Sequence, residues 1–342
     1  MQLIIFEISM LFFLAGAVVF YPAVAASVME AGQRCVSVLI PSLYLFSILA
    51  ALIVRTRLLF VLAKPFQKFF RNVLHRDAVL CMILIFSQIG GYPVGAQILH
   101  QLYQQKVITR HQEQNLLCVC MGSGFGFILG TAGGTLQTAL LLWAVISLPN
   151  IILGWFLIRD MYLEDQQAES EISELISAFT QSVESAAQAM LKICAMILAF
   201  SGLMGIIRAL LGQMPTMIES ILEVSCVTEY LQHGGILAGA AAFLSFGGIC
   251  VHLQIAAITE NHLHFLKFWL FRILIAGIVF ILSRIILGYC MPDAAVSVFL
   301  NGNQISVTGN ENLIPSICLL IMSIFLLRKH YFFHKSLTNV RK

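Results

Sequence analysis

The chain has 342 residues, of which 59% are hydrophobic and 11% charged, and a mean hydropathy of +0.89. A soluble domain carries about 25% charged residues, so this composition excludes a water-covered globule and points to an all-α polytopic membrane protein with the lipid bilayer as its first partner. The net charge of +3 carries no nucleic-acid signal, and the nine cysteines are scattered without CxxC spacing, so they read as small apolar residues rather than metal ligands or disulfides. No cofactor is expected.

Residues 4–28 are apolar, lack a basic leader and carry Glu7. They read as a retained first helix rather than a signal peptide, with Glu7 snorkelling to the interface. Further apolar segments run over 36–55, 78–99, 114–131, 134–158, 189–212, 235–259, 265–289 and 312–328. A span needs about 20 apolar residues, and three of these segments are interrupted by glycine, so the expectation is about seven to nine membrane segments with broken or re-entrant helices.

The resulting division is an N-terminal transmembrane helix (1–35), a first repeat (36–158), an acidic linker (159–188), a second repeat (189–290), and a polar loop, last helix and basic tail (291–342). Between 55 and 76, Arg55, Arg57, Lys64, Lys68, Arg71 and Arg76 alternate with Phe60, Phe66, Phe69 and Phe70, the pattern of an interfacial amphipathic helix on the cytoplasmic side. Residues 160–185 hold Asp160, Glu164, Asp165, Glu169, Glu171, Glu174 and Glu184 with no Lys or Arg, as a solvated helical linker would. The loop 293–311, with Asn301-Gly302 and Gly309, lacks cations and is placed outside. The tail, with Arg328, Lys329, Lys335, Arg341 and Lys342, places the C-terminus in the cytoplasm of a multi-pass cell-membrane protein; His330 and His334 read as part of this basic anchor rather than a metal pair.

Two passages resemble each other. Ser87-Gln88-Ile89-Gly90-Gly91, followed by Gln97, is echoed by Ser245-Phe246-Gly247-Gly248, followed by His252 and Gln254. Phe46-Ser47 with Arg55 is echoed by Phe200-Ser201 with Arg208, and Lys106 and Arg110 by Lys267 and Arg272, the cations expected to open the next helix of each copy. Three landmarks in one order at nearly one offset indicate an internal duplication, parallel or inverted. A glycine pair weakens a helix, and in lipid the freed backbone groups must be satisfied inside the protein. Broken helices in matching places of two halves mark a midplane binding site in carriers.

The candidate site therefore comprises Ser87, Gln88, Gly90, Gly91 and Gln97 with Ser245, Gly247, Gly248, His252 and Gln254. Close helix packing through Gly91-x3-Gly95 competes with this reading for the glycines, whereas an amide in lipid needs a partner and favours a site. Gly122-Ser123-Gly124-Phe125-Gly126, running on to Gly130 and Gly133-Gly134, is a further interruption without phosphate-loop spacing; Asn115 and Ser123 are expected to face its cavity. Glu219 and Glu223 lie four apart, on one helix face. The polarity of Thr216, Glu229, Gln232 and His233 favours a wet interfacial segment, and Glu223 is kept as an ion or proton partner. No Ser, His and Asp constellation emerges, so enzymatic activity is not expected.

Pro41-Ser42-Leu43-Tyr44-Leu45-Phe46, Gly90-Gly91-Tyr92-Pro93-Val94-Gly95-Ala96, Lys106-Val107-Ile108-Thr109 and Ser245 to Gln254 resemble the YlbJ-like sporulation integral membrane proteins of the nucleoside-recognition (Gate) group. The resemblance spans about 36–290. It implies two Gate-type repeats, a place in the membrane of a spore-forming bacterium, and relatives that include nucleoside and ferrous-iron transporters. The chain departs from relatives that carry an Asn- and Pro-containing break where it has Ser123-Gly124-Phe125. The expectation is a protein that transports or senses a small polar, nucleoside-like solute with Na+ or H+ as coupling ion. The alternatives are a scaffold for spore envelope or cortex formation with sporulation membrane proteins as partners, and, more weakly, a metal-ion transporter.

Overall fold

The computed structural model describes residues 2–290, apart from 57, 132–134, 160, 164–171 and 261–262. The linker acids Asp160, Glu164, Asp165, Glu169 and Glu171, the pair Gly133-Gly134, Arg57, and the loop, helix and tail expected over 291–342 lie outside the described residues.

Every element among the described residues is helical. In chain order they are α1 (Gln2–Val19), α2 (Tyr21–Arg34), α3 (Ile40–Arg55), α4 (Leu58–Val73), α5 (Ala78–Gly90), α6 (Tyr92–Gln104), α7 (Arg110–Leu117), α8 (Phe125–Thr131), α9 (Leu136–Leu157), α10 (Ile172–Leu211), α11 (Thr216–Leu222), α12 (Val227–Gln232), α13 (Leu237–Phe246), α14 (Gly248–Ile258) and α15 (Phe265–Cys290). Five stretches are long and apolar enough to cross a bilayer: Tyr21–Arg55, Leu136–Leu157, Leu175–Leu211, Leu237–Ile258 and Phe265–Leu287. A sixth arises if α4 and α5, bent by 114°, count as one. This is the build of a helical membrane protein. The described residues hold fewer spanning helices than the seven to nine segments expected.

The expected boundary at residue 35 falls inside one 35-residue helix, because a π-turn over Cys35–Leu39 joins α2 to α3. Pro41 lacks an N–H, and the wider turn just before it lets the helix continue past the missing bond. Ser37 Oγ donates to the Gln33 carbonyl at 2.7 Å and Ser42 Oγ to that of Leu39 at 3.2 Å, so hydroxyls serve carbonyls in the turn. The boundary at 188 likewise falls inside α10, a 40-residue helix that packs along α2 and α3.

α4 bears out the amphipathic pattern. Leu59, Phe60 and Ala63 face the protein, Leu62, Phe66, Phe69 and Val73 form an exposed apolar stripe, and Lys64, Lys68 and Arg71 lie exposed on another face. Asp77 fixes the sharp bend that follows. Its carboxylate caps α5 by accepting from Val79 N at 2.8 Å, and it also accepts from Leu163 N and Gln67 Nε2, each at 3.3 Å.

The two glycine pairs break the chain differently. A Cβ placed on Gly95 would lie 3.1 Å from Ser87 Cβ, eight residues earlier. In a straight helix that separation is about 12 Å, so α5 and α6 fold back on each other as a hairpin whose apex is Gly91. α13 and α14 instead form a single 22-residue span interrupted at Gly247 and Gly248.

Candidate functional site

Three helix interruptions meet in the core. Gly91, at φ +87°, packs on the segment between α7 and α8, where a Cβ added to it would lie 2.7 Å from Gly124 N. Ser123 donates to the Leu244 carbonyl at 2.8 Å and receives the Tyr92 hydroxyl at 2.9 Å, tying the hairpin apex to the end of α13. The Tyr92 ring fills the space beside Gly247, whose added Cβ would be 3.0 Å from Tyr92 Cε1.

The carbonyls freed by these breaks converge on one cation. Arg272, in α15, is fully buried and donates to the Met121 carbonyl at 2.9 Å, to Asn150 Oδ1 at 3.0 Å and to the Ser245 carbonyl. The carbonyl ends of helices carry partial negative charge, so they compensate a guanidinium that has no carboxylate in contact among the described residues. Gln88 extends the network. Its Nε2 donates to the Val119 carbonyl at 3.0 Å, its Oε1 accepts from Asn150 Nδ2 at 3.2 Å, and its own carbonyl takes Trp143 Nε1 at 2.8 Å. Of the two cations expected to open this helix, Lys267 lies in the first turn of α15, whereas Arg272 lies two turns in and is buried.

The sequence-predicted residues separate into distinct places. Gln88, Gly90, Gly91, Ser123, Ser245, Gly247 and Gly248 build the junction. Ser87 Oγ bonds within its own helix to the Leu84 carbonyl at 2.8 Å. His252 Nε2 donates to the Phe246 carbonyl at 2.9 Å, repairing the break from within α14, and its ring packs on Phe246, Phe268 and Trp269. Asn115 does not join them; its Oδ1 receives Lys267 Nζ and its Nδ2 lies 3.3 Å from His111 Nδ1.

Glu219 and Glu223 correct two expectations. Both are buried, at 3% and 1% exposure, so neither is wet. They do not share a helix face, because α11 ends at Leu222 and Glu223 is extended at φ −139°. Glu219 accepts from Arg208 Nε at 2.6 Å. Glu223 holds its own turn, accepting Ser225 N at 3.0 Å and the Ser225 hydroxyl.

Three cavities lie in sequence along α10. At one end, Arg55, Gln97, His100, Gln188, Lys192 and Glu260 line a space of about 200 Å³, taken as the room open to water centres. In the middle, Tyr92, Gly124, Ile193, Ile197, Glu223 and Gln254 surround about 20 Å³ on the same measure. At the other end, Arg208, Gln213, Thr216, Glu219, Glu229 and His233 border about 440 Å³. The central void holds about one water and no solute. Between Ser185 and Arg208, which border the outer cavities, α10 rises about 35 Å, comparable to a bilayer core.

An ion network borders the wider end through Arg208, Glu219 and Glu229. Arg34 Nη1 lies 2.5 Å from Glu229 Oε1 and 2.9 Å from Glu30 Oε1, and Arg208 Nη2 lies 3.6 Å from Glu229 Oε2. Burial, and then Glu30, push the Glu229 carboxyl up to about 7 against the pull of Arg34 and Arg208. Among the described residues no three His, Cys, Asp or Glu side chains are grouped to hold a metal ion.

Arg272, Asn150, Tyr92 and Arg34 were missed by sequence reasoning. Arg272 and Asn150 did carry a signal, a lone polar group deep in an otherwise apolar helix. Comparison of the chain with family models, curated proteins and solved structures finds no match to any of them.

Proposed function

We propose that this chain is a membrane carrier or sensor of a small polar solute, held here with its path closed at the centre. The observation that carries the reading is the order of the three cavities along α10: two roomy polar ones at its ends and a narrow one between, bordered by Glu223 and Gln254. Broken helices flank the constriction, and half-helices can shift as units without losing internal hydrogen bonds. A nucleoside-like solute, two Gate-type repeats and a role in sporulation rest on the resemblance of the motifs, and coupling to Na+ or H+ at Glu223 on its being a buried carboxylate beside the constriction.

A second reading has its own support. Most polar groups of the junction satisfy one another, as a rigid scaffold or assembly factor would require.

Cysteines introduced singly at Gln104, Gln213 and Gln254 separate the two. In sealed vesicles treated with a membrane-impermeant thiol reagent and read by peptide mass, Gln104→Cys labels from one side and Gln213→Cys from the other. For a carrier, Gln254→Cys labels slowly from both sides. Complete protection of Gln254→Cys over hours, with the other two reactive, sinks the carrier reading and leaves the scaffold.

A further inference from the structure

The cavity at the Arg55 end holds chemistry that the closed centre does not use. Gln97 lines it and is 7% exposed, yet neither Oε1 nor Nε2 has a hydrogen-bond partner. Gln101 Oε1, one turn on, is buried in the same state. Native proteins leave few buried amides unpaired, because each forfeits its bonds to water. The neighbours offer no relief: Gln188 Nε2 donates to Glu184 at 3.4 Å and Gln104 Nε2 is 3.0 Å from His100 Nε2.

The charges around this amide are unbalanced. Arg55 gives Nη1 to Gln181 and Nη2 to Ser185, each at 2.9 Å, and both partners are neutral. Lys192 projects from the apolar helix α10 into the cavity wall, and neither cation forms an ion pair among the described residues. The acid at the rim is Glu260, whose side chain is 70% exposed and 4.0 Å from His100 Nε2; His100 Nδ1 is itself held at 2.9 Å by the buried Glu113. The carboxylates nearby are engaged elsewhere, Glu184 with Gln188, Glu113 with His100 and Glu260 at the wet rim, so among the described residues Arg55 and Lys192 have no carboxylate in contact and suit an anion between them.

We infer that this cavity binds a small carboxylate anion bearing an amide or lactam edge. Lys192 and Arg55 take the carboxylate, and the adjacent N–H and C=O of the ligand pair with Oε1 and Nε2 of Gln97. A carboxamide presents donor and acceptor side by side, so a cis-amide edge satisfies both in one contact. The inference deepens the carrier reading by naming a solute class for one of its end cavities, while its chemistry stands on the cavity alone.

The test uses the full chain purified in detergent and titrated calorimetrically with three probes. Pyroglutamate carries both lactam and carboxylate, 2-pyrrolidone the lactam alone, and cyclopentanecarboxylate the charge alone. Pyroglutamate is expected to bind about tenfold or more tighter than either fragment. Gln97→Leu brings its affinity down to that of cyclopentanecarboxylate, and Lys192→Gln brings it down to that of 2-pyrrolidone with a weaker salt dependence. Equal affinities for pyroglutamate and cyclopentanecarboxylate, or indifference to Gln97→Leu, overturn the inference. Pyroglutamate binding with Gln254→Cys fully protected would leave this site standing and remove the carrier; labelling of Gln254→Cys without pyroglutamate binding would do the reverse.

Discussion

Replacing Arg272 by Met tests whether one cation holds the three breaks together. The methionine fills much of the same volume but donates nothing. The carbonyls of Met121 and Ser245 and the Oδ1 of Asn150 each lose a donor in a site with no exposure to water. An orphaned buried acceptor costs about 1–3 kcal/mol, so the three together cost about 6 kcal/mol at mid-range. Removing the guanidinium returns desolvation free energy of several kcal/mol, here taken as about 3. The net loss is about 3 kcal/mol, which lowers the melting temperature by about 4 °C in a chain of this size. Intrinsic fluorescence during heating in detergent reads the shift. Arg284→Met, on an exposed position of the same helix, is the control and is expected to melt with the wild type. Arg272→Lys keeps the charge but loses the planar fork, reaches fewer of the three acceptors and falls between. If Arg272→Met melts with the control, the carbonyl ends do not depend on the guanidinium and the reasoning fails.

Other substitutions probe separate parts of the argument. Gly91→Ala places a methyl 2.7 Å from Gly124 N at φ +87°, and Gly95→Ala drives one into the Cys120 carbonyl, so both are expected to abolish monodisperse protein on size exclusion. Gly234→Ala, at φ +84° with nothing within 4 Å, loses only the left-handed backbone preference of about 1–2 kcal/mol; equal behaviour of the three would refute the close-approach argument. Gln97→Leu removes two unpartnered buried amide atoms and is expected to raise the melting temperature, a fall showing that the amide is satisfied. Glu229, on α12 outside the candidate spans, is raised from 4.5 to about 7 in the folded state, so folding binds a proton in that window. Stability therefore declines as pH rises from about 4.5 to about 7 and then levels. Glu30 and Arg34 on α2, Arg208 on α10 and Glu219 on α11 surround this network, and Glu229→Gln is expected to flatten the profile. An unchanged slope in that variant would assign the titration to another group.

The apolar length of 134–158, 235–259 and 265–289 was enough to anticipate the helices Leu136–Leu157, Leu237–Ile258 and Phe265–Leu287, because crossing lipid needs only length and hydropathy. The opposed stripes of α4 were readable for the same reason. Helix Tyr21–Arg55 was not, since Glu30 and Arg34 interrupt the apolar run between 28 and 36, and Arg34 finds its partner in Glu229, far along the chain. The burial of Glu219 has the same origin, a partner in Arg208 from another helix. Polar residues in 216–233 suggested water, and Gln232 and His233 do lie exposed, whereas an ion pair and a turn satisfy Glu219 and Glu223 within the protein. For Arg272 the sequence held the warning but not the answer, because its acceptors are backbone carbonyls that carry no sequence signature.

The shared Gly-Gly spelling hides two different devices, and the residues that follow explain why. After Gly91, which closes α5 through its N–H to the Ser87 carbonyl at 3.0 Å, comes Pro93, which lies in the first turn of α6 and cannot bond back to α5. The chain must begin a new helix, and at Gly91 it turns. After Gly247 there is no proline; Gly247 and Gly248 both take positive φ, and His252 covers the exposed Phe246 carbonyl, so the span resumes along its course. The two breaks are also matched across the interface. Gly247 is needed for its φ of +91° and, independently, because the Tyr92 ring from the other motif stands where a side chain would be. One motif turns the chain to present an aromatic ring, and the other leaves the vacancy that receives it.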